Sequence, residues 1–494
     1  MATDNLKQKA ATGMIWTAVQ KYSTMAIGFI SSIILARLLT PEDYGAIGML
    51  AIFMSLAQVF IDAGFGSALI QKKNPTQADY STVFYFNIVM SLLLYLALFF
   101  SAPAIANFYR MPILCKILRV QGLVLFIYAF NIIQLNQIRK SLEFKKLSII
   151  TIITTVVALI VTVTMAYTGC GVWSLVAQNL VAALIPCVYF WITTKWHPTK
   201  EYSWQSFKEL FGFGSFMFLT HLFTTFSQRI SGLLIGRWYD PGTMGFYSKA
   251  SETSKQATLS ISGVMIQTTY PLYASVQDDR ERLINMVKRI TSTLAYITVP
   301  ILFVLILIAK PLFVLLFSEK WIPSVPYFQI LCIGGLAGCL QSVNQQAIAA
   351  IGKSKVFFVW TIVKESVGII LQVGGLVIWG LWGLLAGKVL SSWFSYFVNI
   401  TLVSKHIGYK NVRQLQDLAP IFIVAALSFA ISYYLSGLLG LTLYVDALVK
   451  IAIFAVVYLA WSLFFKPESY TYALSIVKMY TSKRKMKKSN TEEI

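Results

Sequence analysis

The residues in this chain whose types and placement could do chemistry are charges set in apolar surroundings. Lys21, Arg229, Lys249, Lys255, Lys364, Lys388 and Lys450 fall within long hydrophobic runs, opposed by Asp62, Glu252, Glu365 and Asp446. A charge left in hydrocarbon costs at least about 2.5 to 3.5 kcal/mol, so such groups need partners or a wet cavity. Basic groups are in excess. An anionic passenger would supply the missing counter-charge, whereas a cation exporter is expected to concentrate carboxylates instead.

Helical spacing gathers several of these charges onto polar stripes. Thr17, Gln20, Lys21, Thr24, Gly28 and Ser31 share one face. Lys249, Glu252 and Lys255 form KxxExxK, in which one carboxylate bridges two ammonium groups and leaves a unit of positive charge suited to a phosphate. Lys388, Ser391, Ser392, Ser395 and Asn399 make a further stripe, and Glu365 and Gln372 share a side with Lys364 about 100° round. The candidate cationic set is therefore Lys21, Arg229, Lys249, Lys255, Lys364 and Lys388, with Asp62, Glu252, Glu365 and His221 as coupling or charge-balancing groups. Structural readings stand beside these. Lys450 and Asp446, one turn apart, suit a satisfied pair; Lys364 and Lys388 suit pairing with Glu365; Asp62 suits a bridge to Lys21; and His221 suits packing as well as a proton relay. Amide-rich stretches, Asn131 to Gln137 and Gln341 to Gln346, suit either sugar hydroxyls or contacts between helices.

The elements that must position these groups follow from hydropathy. Of 494 residues, 57% are hydrophobic and 12% charged, against about 25% charged in soluble domains, so a soluble fold is excluded. Apolar runs of about 20 residues recur from 13–36 to 442–465, about fourteen in all, which makes an all-α polytopic membrane protein. The opening MATDNLKQKA is polar and the first run lacks a small-residue cleavage site, so it reads as a retained span rather than a signal peptide. The net charge of +21 is explained by loops rather than by nucleic acid: with both termini cytoplasmic, roughly 27 of the 41 Lys and Arg lie inside. The tail SKRKMKK from Ser482 is part of that bias. Five cysteines without a CxxC and three isolated histidines provide no metal or redox site, and no cofactor is expected.

Internal symmetry organises the spans. RLLTPEDYG at 37–45 and RWYDPGTMG at 237–245 share Arg, Pro and Gly at the same offsets, and GVWSLVA at 171–177 echoes GLWGLLA at 380–386. The expected architecture is two six-helix lobes in parallel repeat, 1–195 and 210–410, joined by an interfacial linker helix at 196–209. Two appended helices at 411–466 and a basic cytoplasmic tail at 467–494 complete the chain. The repeat also makes a span of 243–270, although SKASETSKQATLS from Ser248 is as polar as a surface helix; so polar a span must line water or protein.

No Walker A sequence, GxSxG or HExxH is present, and the loops are short, which points to a transporter and not an enzyme. The opening GMIWTAVQKYSTMAIGFISSIILARLLTPEDYGAIGML, its echo at Arg237, Pro241 and Gly245, and GVWSLVAQ before the sixth span resemble the Wzx-like polysaccharide transporters of the multidrug, oligosaccharidyl-lipid and polysaccharide exporter superfamily. The resemblance implies two six-helix lobes around a cavity, in a bacterial inner membrane. It also implies a flippase that moves oligosaccharide repeat units on undecaprenyl diphosphate from the cytoplasmic to the periplasmic leaflet, for O-antigen, capsule or exopolysaccharide. In related lipid II flippases basic residues of the first, second and eighth spans face the cavity; Lys21, Lys249 and Lys255 occupy comparable spans, while the second span here offers Asp62 and no internal base.

The expected partners are this lipid-linked oligosaccharide, membrane lipid and polysaccharide polymerase machinery, with H+ or Na+ as a coupling ion through Glu252, Asp62 or His221. Two alternatives stay open at this point: a multidrug exporter of the same superfamily, and a membrane polysaccharide polymerase or ligase.

Overall fold

The computed structural model describes residues 2–472 and 474; the basic tail from Ser482 lies outside the described residues. Within them all regular structure is helical, and the chain divides into two compact units, Met1–Lys249 and Ala250–Ile494.

The first unit holds α1 (Ala2–Leu38), α2 (Pro41–Asp62), α3 (Phe65–Gln71), α4 (Gln77–Phe108), α5 (Ile113–Gln121), α6 (Leu123–Lys140), α7 (Phe144–Tyr167), α8 (Val172–Thr193) and α9 (Trp204–Trp238), together with the first residues of α10 (Pro241–Ala274). The repeated RxxxPxxxG segments owe their form to capping. Thr40 accepts from the Asp43 backbone N–H while the Asp43 carboxylate accepts from Thr40, with Pro41 at the first helical position. In the echo, the Asp240 carboxylate accepts from the Thr243 N–H at 2.9 Å, ahead of Pro241. Both pair an oxygen-bearing cap with a proline whose missing N–H is no loss there.

Asp62 ends α2, because Ala63 (φ 43°) and Gly64 (φ 78°) turn the chain into α3. Gly64 also lies so close to the Gly214 carbonyl of α9 that no Cβ fits. Beyond the turn, Phe65 is fully buried at 5.0 Å from Phe86 and 5.5 Å from Phe207, which anchors α3 under α4 and α9. Residues 194–203 form no helix, so the linker helix expected at 196–209 is absent as a separate element. Pro198 interrupts the segment, and Ser203 caps α9 by accepting from the Ser206 N–H.

The second unit holds the rest of α10, then α11 (Arg280–Leu307), α12 (Ala309–Phe317), a 3-10 turn at Glu319–Trp321, α13 (Ser324–Ala350), α14 (Ser354–His406), α15 (Asn411–Gly437) and α16 (Leu443–Phe465). The 53-residue α14 is two arms about a break at Trp379 and Gly380. Its arms meet at Gly375 and Gly383, where each glycine leaves room for the other's carbonyl. Gly380 has φ 59° and ψ −139°, nearly the conformation of Gly171 (φ 53°, ψ −130°) at the start of α8, so the two echoed GxWxLxA segments begin with the same backbone turn.

Twelve helices among the described residues are long and apolar enough to cross a membrane. The difference from about fourteen has two physical causes. The two arms of α14 follow one another without a connecting loop and count once despite the break at Trp379 and Gly380, and α10 is too polar to count as an apolar span.

Candidate functional site

Inside the first unit, α2, α6, α8, α9 and the end of α5 line a polar space. One cavity of about 300 Å³ is lined by Ser55, Gln58 and Asp62 of α2, Tyr128 of α6, and His221, Thr225, Gln228 and Arg229 of α9. A second, of about 450 Å³, shares Ser55, Gln58, Tyr128 and Arg229 and adds Gln121, Asn131 and Asn179. The lining is an outcome of helical period: 55, 58 and 62 repeat along one face of α2, and 221, 225, 228 and 229 along one face of α9.

The electrostatics of this space are mixed. The Arg229 guanidinium is exposed and is shared by both cavities, so a planar, permanently charged donor fork stands where they meet. Asp62 is half-buried, and its Oδ1 accepts from the Gly66 N–H at 3.2 Å, answering one of the open donors at the start of α3. His221 is exposed on the same wall as Arg229. Asn131 Oδ1 and Gln121 Oε1 are buried and have no hydrogen-bond partner among the described residues. A buried acceptor left open costs about 1–3 kcal/mol, which is recovered when a ligand hydroxyl or water donates to it.

Arg229, Asp62 and His221 are thus brought together, and the other sequence-derived candidates lie elsewhere. Lys21 is half-buried on α1 and lines neither cavity; the Asp62–Lys21 bridge does not occur among the described ion pairs. Its neighbour Gln20 accepts from Ser148 of α7 at 3.2 Å. Lys249 is fully buried: its ammonium donates to the Ser32 carbonyl at 3.1 Å and the Ser32 hydroxyl at 2.5 Å, and stands 5.0 Å from the Tyr44 ring centroid. Further along α10, Glu252 is half-buried and Lys255 exposed, and both have partners.

In the second unit Lys364 is buried and donates to Asn399 Oδ1 at 2.9 Å, joining the arms of α14, with Glu365 and Lys388 half-buried. The Lys450–Asp446 pair is formed at 2.7 Å, and Asn344 donates to Gln414 at 3.2 Å, so that amide stretch acts between helices at this residue. No cluster of His, Cys, Asp or Glu able to hold a metal ion occurs among the described residues.

Sequence reasoning missed Gln58, Gln121, Tyr128, Asn179 and Gln228. The signal was present as polar residues at helical spacing around Asp62 and Arg229, but uncharged amides in an apolar run stand out less than a lysine does.

The chain matches the family model described as polysaccharide biosynthesis protein over residues 34–326. It is 26% identical over 362 residues to the teichuronic acid biosynthesis protein TuaB of Bacillus subtilis, covering 72% of this chain and 74% of that one. It is 24% identical to the succinoglycan biosynthesis transport protein ExoT of Rhizobium meliloti, over 73% of this chain and 74% of that one. Its structure resembles that of the lipid II flippase MurJ in an inward closed conformation, with a TM-score of 0.74 at 15% identity, covering 92% of this chain and 99% of the other.

Proposed function

Since the chain belongs to the polysaccharide biosynthesis protein family and has the fold of the multidrug, oligosaccharidyl-lipid and polysaccharide exporter superfamily, we propose that it flips oligosaccharide repeat units on undecaprenyl diphosphate from the cytoplasmic to the periplasmic leaflet. It is a multi-pass membrane transporter of polysaccharide biosynthesis and not an enzyme. The observation that carries the reading is the pairing, in one polar space, of the Arg229 fork with the unanswered carbonyl oxygens of Asn131 and Gln121. A diphosphate carrying about two negative charges takes charge-assisted bonds from a guanidinium, while sugar hydroxyls donate to amide oxygens.

In this reading the headgroup enters the lumen from the cytoplasmic side, the polyprenyl tail stays in lipid, and the lumen is exposed to the two sides in turn. Arg229 anchors the diphosphate, while Asp62 and His221 balance its charge or carry a coupling H+ or Na+. Lys255, Lys364, Lys388 and Lys21 remain secondary candidates. The interactions of Lys249 with Ser32 favour an internal tie over direct contact with substrate.

The span count under this proposal is fourteen, made of the twelve apolar helices, the second arm of α14, and α10. The matching turns at Gly171 and Gly380 support a parallel repeat, in which both halves begin on the cytoplasmic side of the inner membrane. The drug-exporter alternative is disfavoured by the excess of basic groups in the spans.

The test is leaflet-resolved analysis of lipid-linked oligosaccharides in a strain lacking the protein, beside a polymerase mutant. Complete repeat units held on the cytoplasmic leaflet are expected. Their accumulation on the periplasmic leaflet would place the protein in polymerisation, and no accumulation would favour drug export.

A further inference from the structure

A third cavity, of about 210 Å³, lies in the second unit, away from the space described above. One wall is α11, where Arg289, Ser292 and Thr293 repeat at one-turn spacing. The other is the stretch that follows α16: Lys466 takes a left-handed conformation (φ 42°), and the chain turns into helical residues from 468 on that present Glu468, Ser469, Thr471 and Tyr472.

Three features make this space a binding site. Ser292 and Thr293 are 6% and 1% exposed, yet Ser292 Oγ and Thr293 Oγ1 have no hydrogen-bond partner among the described residues. Helical hydroxyls ordinarily bond back to the preceding turn, as Thr298 does to Leu294 and Ser462 to Tyr458, each at 2.8 Å. Next, the Arg289 guanidinium is exposed, its carbon 5.9 Å from the Tyr472 ring centroid. Finally, the one acid in the wall is answered from outside the cavity, since Glu468 pairs with Lys288 at 3.0 Å. Beside that paired carboxylate the cavity presents a cationic fork and a row of hydroxyls, which together complement a small anion with several oxygens.

The surroundings identify its source. Leu463, Phe464 and Phe465, the last residues of the apolar α16, are 58%, 84% and 76% exposed directly before the turn. A headgroup in the cavity would therefore have its acyl chains beside these side chains. We propose that this cavity binds the phosphodiester headgroup of a membrane glycerophospholipid, with Arg289 and the hydroxyls of Ser292 and Thr293 donating to the phosphate oxygens. The bound lipid holds the segment after α16 against α11, and this role is independent of the transported substrate.

The experiment uses the full-length protein in detergent, with phosphatidylglycerol and inorganic phosphate as probes, read by native mass spectrometry and thermal unfolding. Wild-type protein is expected to retain phosphatidylglycerol through delipidation and to melt at a higher temperature when it is added. Arg289→Gln combined with Thr293→Val should lower retention about tenfold, the equivalent of one charge-assisted bond, and remove the thermal increment. Arg289→Lys, which keeps the charge and loses the fork, should fall between and guards against a folding defect. Unchanged retention in both variants would overturn the site. An equal thermal increment from inorganic phosphate alone would overturn the lipid and leave a free-anion site.

Discussion

Gly45 and Gly245 each lie against the proline that opens the other's helix. A Cβ on Gly45 would overlap the Pro241 carbonyl oxygen, and one on Gly245 would overlap that of Pro41. The two echoed segments therefore cross backbone to backbone at the starts of α2 and α10, a contact that only residues without a side chain permit. One turn on, a Cβ on Gly48 would come within 2.6 Å of Met244 Cε.

Gly45→Ala and Gly245→Ala should each force these helix starts apart and destabilise the protein by about 1–3 kcal/mol, despite alanine's better helix propensity. The double variant should cost less than the sum, since both act on one crossing. Thermal unfolding in detergent checks this, and a melting temperature unchanged in both single variants would contradict the crossing.

Arg229→Gln should reduce flipping about 10- to 100-fold, the loss of one charge-assisted bond of roughly 1.5–3 kcal/mol. Arg229→Lys should recover only part, because a single ammonium cannot present two parallel donors. The measurement is the leaflet distribution of lipid-linked repeat units, with expression and melting temperature as controls.

Lys249 and Ser32 should be coupled. Lys249→Met removes both bonds from α10 to Ser32 of α1, and Ser32→Ala removes only the one to the hydroxyl, so a double-mutant cycle on unfolding should give a coupling of about 1–3 kcal/mol for the hydroxyl bond. Additive losses would return Lys249 to the set of candidate substrate ligands.

The Lys288 ammonium hydrogen-bonded to Glu468 holds its carboxyl below the ordinary value of 4.5. A depressed carboxyl stabilises the folded state fully above that ordinary value, and the contribution is lost as pH falls through the lowered one. Wild-type protein should therefore lose more melting temperature between pH 6 and pH 4 than Glu468→Gln does. The difference should be small, because the Glu468 side chain is 72% exposed.

Much of the fold was legible because its determinants are local. The caps at Thr40 and Asp240 and the prolines after them can be read from adjacent letters, and so can the polar character of α10. The linker was misread for the same reason, since aromatic and basic residues from Trp196 suggest a surface helix while Pro198 and Ser203 delay its start to Trp204. The pairing of Lys450 with Asp446 was legible because one helical turn fixes both ends.

The candidate site was legible in part. Arg229, Asp62 and His221 stood out as ionisable groups in apolar runs, and helical spacing placed each on a polar face. Spacing could not say that the face of α2 bearing Gln58 and Asp62 meets the face of α9 bearing His221 and Arg229, because their contact joins residues far apart in sequence.

By itself, then, the sequence determined a helical, membrane-spanning class, a repeated capped turn and an excess of basic groups within the apolar runs. These follow from hydropathy, backbone capping and charge, which are properties of single helices. The tertiary structure alone decided which charges share a cavity and which are spent on packing: Lys249 goes to Ser32, Lys364 to Asn399, and Arg229 to a polar space with unanswered amide oxygens. The physical reason is that a buried charge takes whatever partner the neighbouring helix presents, and helix packing sets that choice.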